Sequence, residues 1–218
     1  MKLYSYFRSS ASYRVRIALN LKGLDYEQAA IHLVKNGGEQ LSEAFKTLNP
    51  EALVPAFVDQ HGGEEHVLTQ SMAIIEYLDE VYPQHPLLPA DPVSRAHIRA
   101  FALSIACEVH PVNNLRILKY LTKTLGVTED QKNAWYRHWC ETGLLVLEQK
   151  LQSLGQQWKY CFGDEPGFAD CFLIPQIANA QRFQCDLSAM PRLMQINQHC
   201  LAHPAFIKAM PANQPDAE

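Results

Sequence analysis

Pro83, Pro86, Pro89 and Pro92 crowd into one short stretch of this 218-residue chain. Each proline lacks a backbone N–H and clashes with the preceding turn, so the stretch cannot be helical throughout. It reads as a linker, residues 83–92. Before it, strand and helix patterns alternate; after it, the apolar spacing is helical nearly to the end. The prediction is an α/β domain over residues 1–82 and an all-α domain over residues 93–212.

The first part opens with Lys2-Leu3-Tyr4-Ser5-Tyr6-Phe7, rich in aromatics and suited to a strand. Ser9, Ser10 and Ser12 follow. Val15, Ala18 and Leu19 then recur at helical spacing, with Lys22-Gly23 as the stop. Tyr26–Ile31 is a second strand, and Leu41–Leu48 a short helix ended by Asn49-Pro50. Val54-Pro55-Ala56-Phe57-Val58-Asp59 is a strand entered through proline. Gly62-Gly63 marks a hairpin, Val67-Leu68-Thr69 its return, and Ser71 opens a helix through Leu78. The order β-α-β-α-β-β-α is the plan of a thioredoxin-like domain. In the second part, Val93–Leu125 reads as one long helix, bent or interrupted at His110-Pro111. Thr128-Glu129-Asp130-Gln131 is a capping box for the next helix, to about Leu154. Gly163–Asp170 turns into a core helix, Cys171–Ala180, that is apolar nearly all round. Short helices at Leu193–Cys200 and Ala205–Ala209 precede a polar tail, Asn213–Glu218, expected to fray.

Composition removes several functions. The formal charge is −4 with no basic cluster, which argues against a nucleic-acid surface. No apolar run is long enough for a membrane span, and the start is strand-like and polar rather than a signal peptide. A soluble, cytoplasmic protein is expected. The six cysteines, Cys107, Cys140, Cys161, Cys171, Cys185 and Cys200, form no Cys-x-x-Cys pair and read as buried reduced thiols. His199 and His203 are four apart, but Pro204 follows and no third ligand is near, so no metal site is expected.

Four features point to chemistry, each with a plainer reading beside it. Ser9 and Ser10 stand where a strand feeds a helix, and the free N–H groups there favour an anion such as a thiolate or carboxylate. A serine in that place is also an ordinary cap. Val54-Pro55 enters a strand and is a candidate cis bond that would leave the Val54 backbone free for an extended peptide; a trans proline is the common alternative. Gln70-Ser71, at another strand-to-helix junction, is a second anion nest or a plain N-cap. Arg8 and Arg182 have the fork geometry a carboxylate wants, or are surface charges. Together these suit a small peptide with a carboxylate at one end and a thiol at the other, namely glutathione.

Ser9-Ser10-Ala11-Ser12-Tyr13-Arg14-Val15-Arg16-Ile17-Ala18-Leu19 resembles the signature of the zeta-class glutathione transferases, which include maleylacetoacetate and maleylpyruvate isomerases. The resemblance extends through Leu48-Asn49-Pro50, Val54-Pro55, Gln70-Ser71, Leu87-Leu88-Pro89, Gly163-Asp164-Glu165, Ala169-Asp170 and Arg182-Phe183. It implies a glutathione transferase fold, a thioredoxin-like domain followed by an all-helical one, normally as a homodimer with glutathione as cofactor. Ser9 and Ser10 would be catalytic, holding the glutathione thiolate, with Ala11 beside them. Val54, ahead of a cis Pro55, would pair with the cysteinyl part. Gln70 and Ser71 would hold the γ-glutamyl carboxylate, and Gln40 would contact the tripeptide. His110 and Asn114 would reach glutathione from the helical domain. Arg8, Asn113 and Arg182 would bind substrate.

The implied activity is isomerisation of maleylacetoacetate to fumarylacetoacetate in aromatic amino-acid breakdown. Maleylpyruvate isomerisation, or transferase chemistry on small haloacids, is the alternative, and a non-catalytic glutathione-binding role is the reading from another class. Three positions depart from the family pattern. Ala11 replaces a cysteine common in the class, which counts against haloacid chemistry. Gly167 stands where a Thr or Ser cap is usual. Leu115 stands where the maleylpyruvate type tends to carry arginine, although His110-Pro111-Val112-Asn113-Asn114 resembles that type.

Overall fold

The computed structural model describes residues 1–218. They form two compact units, Met1–Leu87 with Ala202–Glu218, and Leu88–Leu201.

The first unit runs β1 (Lys2–Ser5), α1 (Ser10–Leu21), β2 (Glu27–Ala30), α2 (Glu43–Leu48), β3 (Ala56–His61), β4 (Glu64–Thr69) and α3 (Ser71–Val81). The sheet order is β2-β1-β3-β4. A helical crossover makes β1 and β2 parallel, whereas the tight turn at Gly62-Gly63 makes β3 and β4 antiparallel. Both glycines have positive φ, 63° and 87°, the conformation such hairpins require. Leu3, Phe57, Val15, Ile17, Leu19, Ile74, Ile75 and Leu78 are fully buried and make the core.

Register decides what this unit can do. Tyr4 pairs with Ala56, Ala56 with Thr69, and Ser5 with Ala30. The ends of β1, β2 and β4 and the start of β3 therefore lie at one end of the sheet. The segments carrying Ser9-Ser10, Gln40, Val54-Pro55 and Gln70-Ser71 all leave from that end.

The second unit is helical: α4 (Pro92–Leu103), α5 (Leu115–Lys123), α6 (Glu129–Ser153), α7 (Phe168–Arg182) and α8 (Pro191–Leu201). Pro92, read as the last linker residue, instead begins α4, where its missing N–H costs nothing. Asp91 caps that helix by accepting the Ser94 N–H at 2.7 Å. The long helix expected over 93–125 is interrupted at His110-Pro111, one of the two forms the sequence allowed, and it already leaves α geometry at Ser104. A wider π-type turn covers Ser104–Val109, a 3-10 turn covers Pro111–Asn113, and α5 starts afresh. Pro111 cannot donate to the preceding turn, and Asn114 recaps the chain by accepting the Arg116 N–H at 3.1 Å. The Thr128/Gln131 capping box opens α6. Helix α7 is buried from Phe168 to Ile177 and continues through Pro175. Gly167 caps it without a side chain, and Asp170 reaches back to the Gly167 N–H at 2.9 Å. Buried Glu148 of α6 accepts the Arg192 and Leu193 N–H groups at 3.0 and 2.8 Å, so one helix caps the start of another.

After α8 the chain returns to the first unit, so residues 202–212 do not stay with the helical domain as expected. Helix α9 (Pro204–Ala209) is held to α1 by Asn20 Nδ2 donating to Ala205 O at 2.9 Å. His203 caps α9 through Nδ1, accepting the Ala205 N–H at 3.2 Å. The tail is not frayed. Asp216 accepts the Phe7 N–H at 2.9 Å and Gln28 Nε2 at 3.2 Å, and Glu218 pairs with Lys35. The cysteines also differ from expectation: Cys107 is exposed and Cys185 half-buried, while the other four are buried.

No helix is long and apolar enough to cross a membrane.

Candidate active site

Ser9 is the N-cap of α1, and its hydroxyl accepts the Ser12 N–H at 3.2 Å. Ser10, the first helical residue, is buried, and Ala11 follows half-buried. Across the sheet end, the Val54–Pro55 bond is cis. Val54 precedes the β3 ladder, which begins at Ala56, so its N–H and C=O lie outside the pairing with β1 and β4. Gln70 is the N-cap of α3 with φ 66° and ψ 113°, a left-handed conformation that costs a non-glycine residue energy. Its amide Nε2 donates to Glu51 Oε2 at 2.8 Å. Such strain at a helix entrance aims the first amides of α3 in a set direction. Gln40 is buried, and its side-chain oxygen accepts no hydrogen bond from the protein. A buried acceptor without a donor is costly unless a ligand supplies one.

Two arginines that carried no assigned role hold this arrangement together. Arg14 Nη1 donates to Ser71 Oγ at 3.2 Å, tying the second turn of α1 to the start of α3. Arg16 is fully buried and donates to Ser5 Oγ at 2.9 Å, Phe7 O at 3.0 Å and Ala209 O at 3.0 Å. It thus fixes the loop that delivers Ser9 and anchors the returning C-terminal segment. Burial lowers its pKa to about 10, which leaves it charged at neutral pH. The signal was present in the sequence: a charged residue between Val15 and Ile17, on an apolar helix, is buried only if fully partnered.

Arg8 is exposed, its guanidinium 4.8 Å from the Phe7 ring centre. His110, Asn113, Asn114 and Arg182 belong to the second unit. Asn113 and Arg182 gather there around one aromatic stack, Tyr136 on Phe183 with ring centres 3.6 Å apart. Asn113 Nδ2 donates to Tyr136 O at 3.3 Å, and the exposed Arg182 lies 5.0 Å from the Phe183 ring centre. Asn114 is occupied as the α5 cap, and His110 is half-buried in the turn before it.

A peptide with an anionic sulfur and a carboxylate fits the first unit's sheet end: two helix starts, one unpaired strand backbone and one unsatisfied buried acceptor. Residues 1–80 match the family model for the glutathione S-transferase N-terminal domain. A probable maleylacetoacetate isomerase of Vibrio cholerae is 51% identical over 215 residues, covering 99% of this chain and 97% of its own. The chain belongs to the zeta class of the glutathione transferases. A solved bacterial zeta-class maleylpyruvate isomerase superposes with a TM-score of 0.94 at 48% identity, over all of both chains. A maleylacetoacetate isomerase from Anaeromyxobacter dehalogenans, crystallised with glutathione in its active site, superposes with a TM-score of 0.88 at 38% identity, over 100% of this chain and 97% of its own. The fold is that of the family, a thioredoxin-like domain with a four-stranded mixed sheet and a helical domain.

Proposed function

We propose that this zeta-class chain is a glutathione-dependent cis–trans isomerase that converts maleylacetoacetate to fumarylacetoacetate. The observation that carries the reading is the convergence of Ser9-Ser10, Val54-Pro55, Gln70-Ser71 and Gln40 at one end of one sheet. Val54 pairs through its backbone with the cysteinyl part of glutathione, as an added strand would. The start of α3, with Gln70 and Ser71, takes the γ-glutamyl carboxylate, and Gln40 accepts a donor from the tripeptide. Bound glutathione supplies the thiolate that adds to the cis double bond and is released unchanged after rotation.

The protein's own part is electrostatic. Ser9 and Ser10 and the N–H groups of α1 favour thiolate over thiol. Arg8 and Arg182 take the carboxylates at the ends of the diketo acid, with Asn113 beside Arg182. The arginines serve to orient the acid ends of the substrate. His110 and Asn114 contribute to glutathione binding from the second unit, and the working form is a homodimer in the cytoplasm.

A coupled spectrophotometric assay tests this. The purified protein is given maleylacetoacetate or maleylpyruvate, with and without glutathione, and the matching fumaryl-product hydrolase. Glutathione-dependent turnover with the higher kcat/KM on maleylacetoacetate is the expected result. A higher kcat/KM on maleylpyruvate would favour the second reading, which the 48% identity to the maleylpyruvate isomerase supports. No turnover on either, with glutathione bound, would overturn both. Light scattering on the eluting protein reads the oligomeric state.

A further inference from the structure

Helix α6 presents Arg137, Cys140 and Glu141 along one face, and the chain leaving α7 meets all three. Arg137 Nε donates to Phe183 O at 2.9 Å, and Glu141 accepts the Asp186 N–H at 2.8 Å. These two bonds bracket Cys185 and hold it against Cys140. Cys140, between Arg137 and Glu141 on α6, and Cys185, between Phe183 and Asp186, are thereby placed as neighbours, and Gln176 Nε2 of α7 donates to the Cys140 sulfur at 3.3 Å. Cys140 is buried; Cys185 is half-buried and reaches solvent. We propose that Cys140 and Cys185 form a reversible dithiol–disulfide pair that exchanges with glutathione disulfide, Cys185 as the attacking sulfur and Cys140 as the resolving one.

The assignment of roles follows from the surroundings. Cys185 is the sulfur that solvent and a disulfide can reach, and its interaction with Cys140 lowers its pKa against the opposing effects of partial burial and Glu141. The neighbouring Cys185 and burial push the Cys140 thiol up, so it holds its proton until the second step. In the first step the Cys185 thiolate attacks one sulfur of glutathione disulfide. That S–S bond breaks, glutathione thiolate leaves, and a Cys185–glutathione mixed disulfide remains. In the second step Cys140 gives up its proton as its sulfur attacks the Cys185 sulfur. A second glutathione leaves and takes that proton. The net exchange is two protein thiols and one glutathione disulfide for one protein disulfide and two glutathiones. Cys140 follows Tyr136 by one helical turn and Cys185 follows Phe183 by two residues, so the pair borders the ring stack beside Arg182, and this inference holds whichever substrate the site turns over.

The test uses the full chain carrying Cys107→Ser, which removes the exposed thiol, incubated with glutathione disulfide and analysed by intact mass and peptide mapping. The expected product has lost two hydrogens and links the peptide of α6 to that holding Cys185, and dithiothreitol restores the starting mass. Adding Cys140→Ala should leave one glutathionyl group on Cys185 instead. With Cys185→Ser, Cys140 should gain no glutathionyl group. The proposal fails if the chain with both cysteines stays unmodified or keeps a stable glutathionyl group on Cys185. It also fails if the disulfide joins other cysteines. The first sample is informative whether or not the Cys140 variant folds.

Discussion

The Ser9 hydroxyl has one hydrogen to donate and two lone pairs to accept, and capping α1 uses only a lone pair. The cap leaves the hydroxyl hydrogen unused, so the proposed role toward a sulfur anion is compatible with the structural one. Substitution can separate them. Ser9→Ala removes both and should cost about 1 kcal/mol in denaturant-measured stability. Ser9→Gly keeps a tolerable cap and should cost only a few tenths. Loss of a donor to developing or resident negative charge lowers rates by about a hundredfold. Both variants should therefore lose about that factor in glutathione-dependent kcat/KM, despite their different stabilities. A glycine variant with wild-type kcat/KM would confine Ser9 to capping. This site was legible because strand, serines and helix are contiguous in sequence. Arg14 and Arg16 belong to the same contiguous motif, but the motif names no partner for either. Their partners Ser71 and Ala209 are distant in the chain, and only the tertiary structure brings them close.

Elements with local signals were readable: the capping box at Thr128, the hairpin at Gly62-Gly63, the proline-led start of β3. Elements whose limits depend on distant contacts were not. The tail looked polar and loose, yet Asp216 satisfies the Phe7 N–H at the far end of the chain. The breaks after Leu103 likewise have a packing partner. Gly143 of α6 faces Val109 of the π-type turn so closely that an added Cβ would lie 2.2 Å from a Val109 methyl carbon. Gly143→Ala improves helix propensity by about 1 kcal/mol, but overpacking costs about 1–3 kcal/mol. The net expectation is a chain less stable by up to about 2 kcal/mol, from the difference of those two terms, with Val109→Ala restoring part of the loss. A stabilised Gly143→Ala in urea titration would mean that Val109 moves freely. At the β3–α3 contact, Tyr77 and Tyr82 both donate to buried Asp59, at 3.0 and 2.5 Å. Burial and the Asp59 hydrogen bond raise the Tyr77 pKa to about 12. A raised phenol pKa means stability fully present below pH 10 and lost as pH rises through about 12. Tyr77→Phe should flatten that alkaline loss when unfolding is followed from pH 9 upward; an unchanged slope would assign it to other groups.

At the scale of the whole molecule, the proposed glutathione contacts lie mainly on the first unit and the proposed substrate contacts mainly on the second, with Arg8 on one side and His110 and Asn114 on the other as exceptions. Ser9, Ser10, Gln40, Val54, Gln70 and Ser71 all belong to the first, whereas Arg182 and Asn113 belong to the second. The proline-rich stretch announced this division in the sequence, but not the return of residues 202–218 to the first unit, because nothing local marks which unit a late amphipathic helix will cover. If the division is functional, the two Michaelis constants must be separable. Arg182→Ala removes charge-assisted hydrogen bonds to a carboxylate, worth about 1.5–3 kcal/mol. At about 1.4 kcal/mol per tenfold, the KM for maleylacetoacetate should rise by about ten- to a hundredfold. The KM for glutathione should stay within about twofold, since no element of the first unit changes. Arg182→Lys keeps the charge without the planar fork and should fall between wild type and alanine. Initial rates with each reactant varied against saturating levels of the other would read both constants. A rise in the glutathione constant of equal size would show Arg182 acting through the glutathione site, and no rise in either would leave the substrate's acid ends to Arg8.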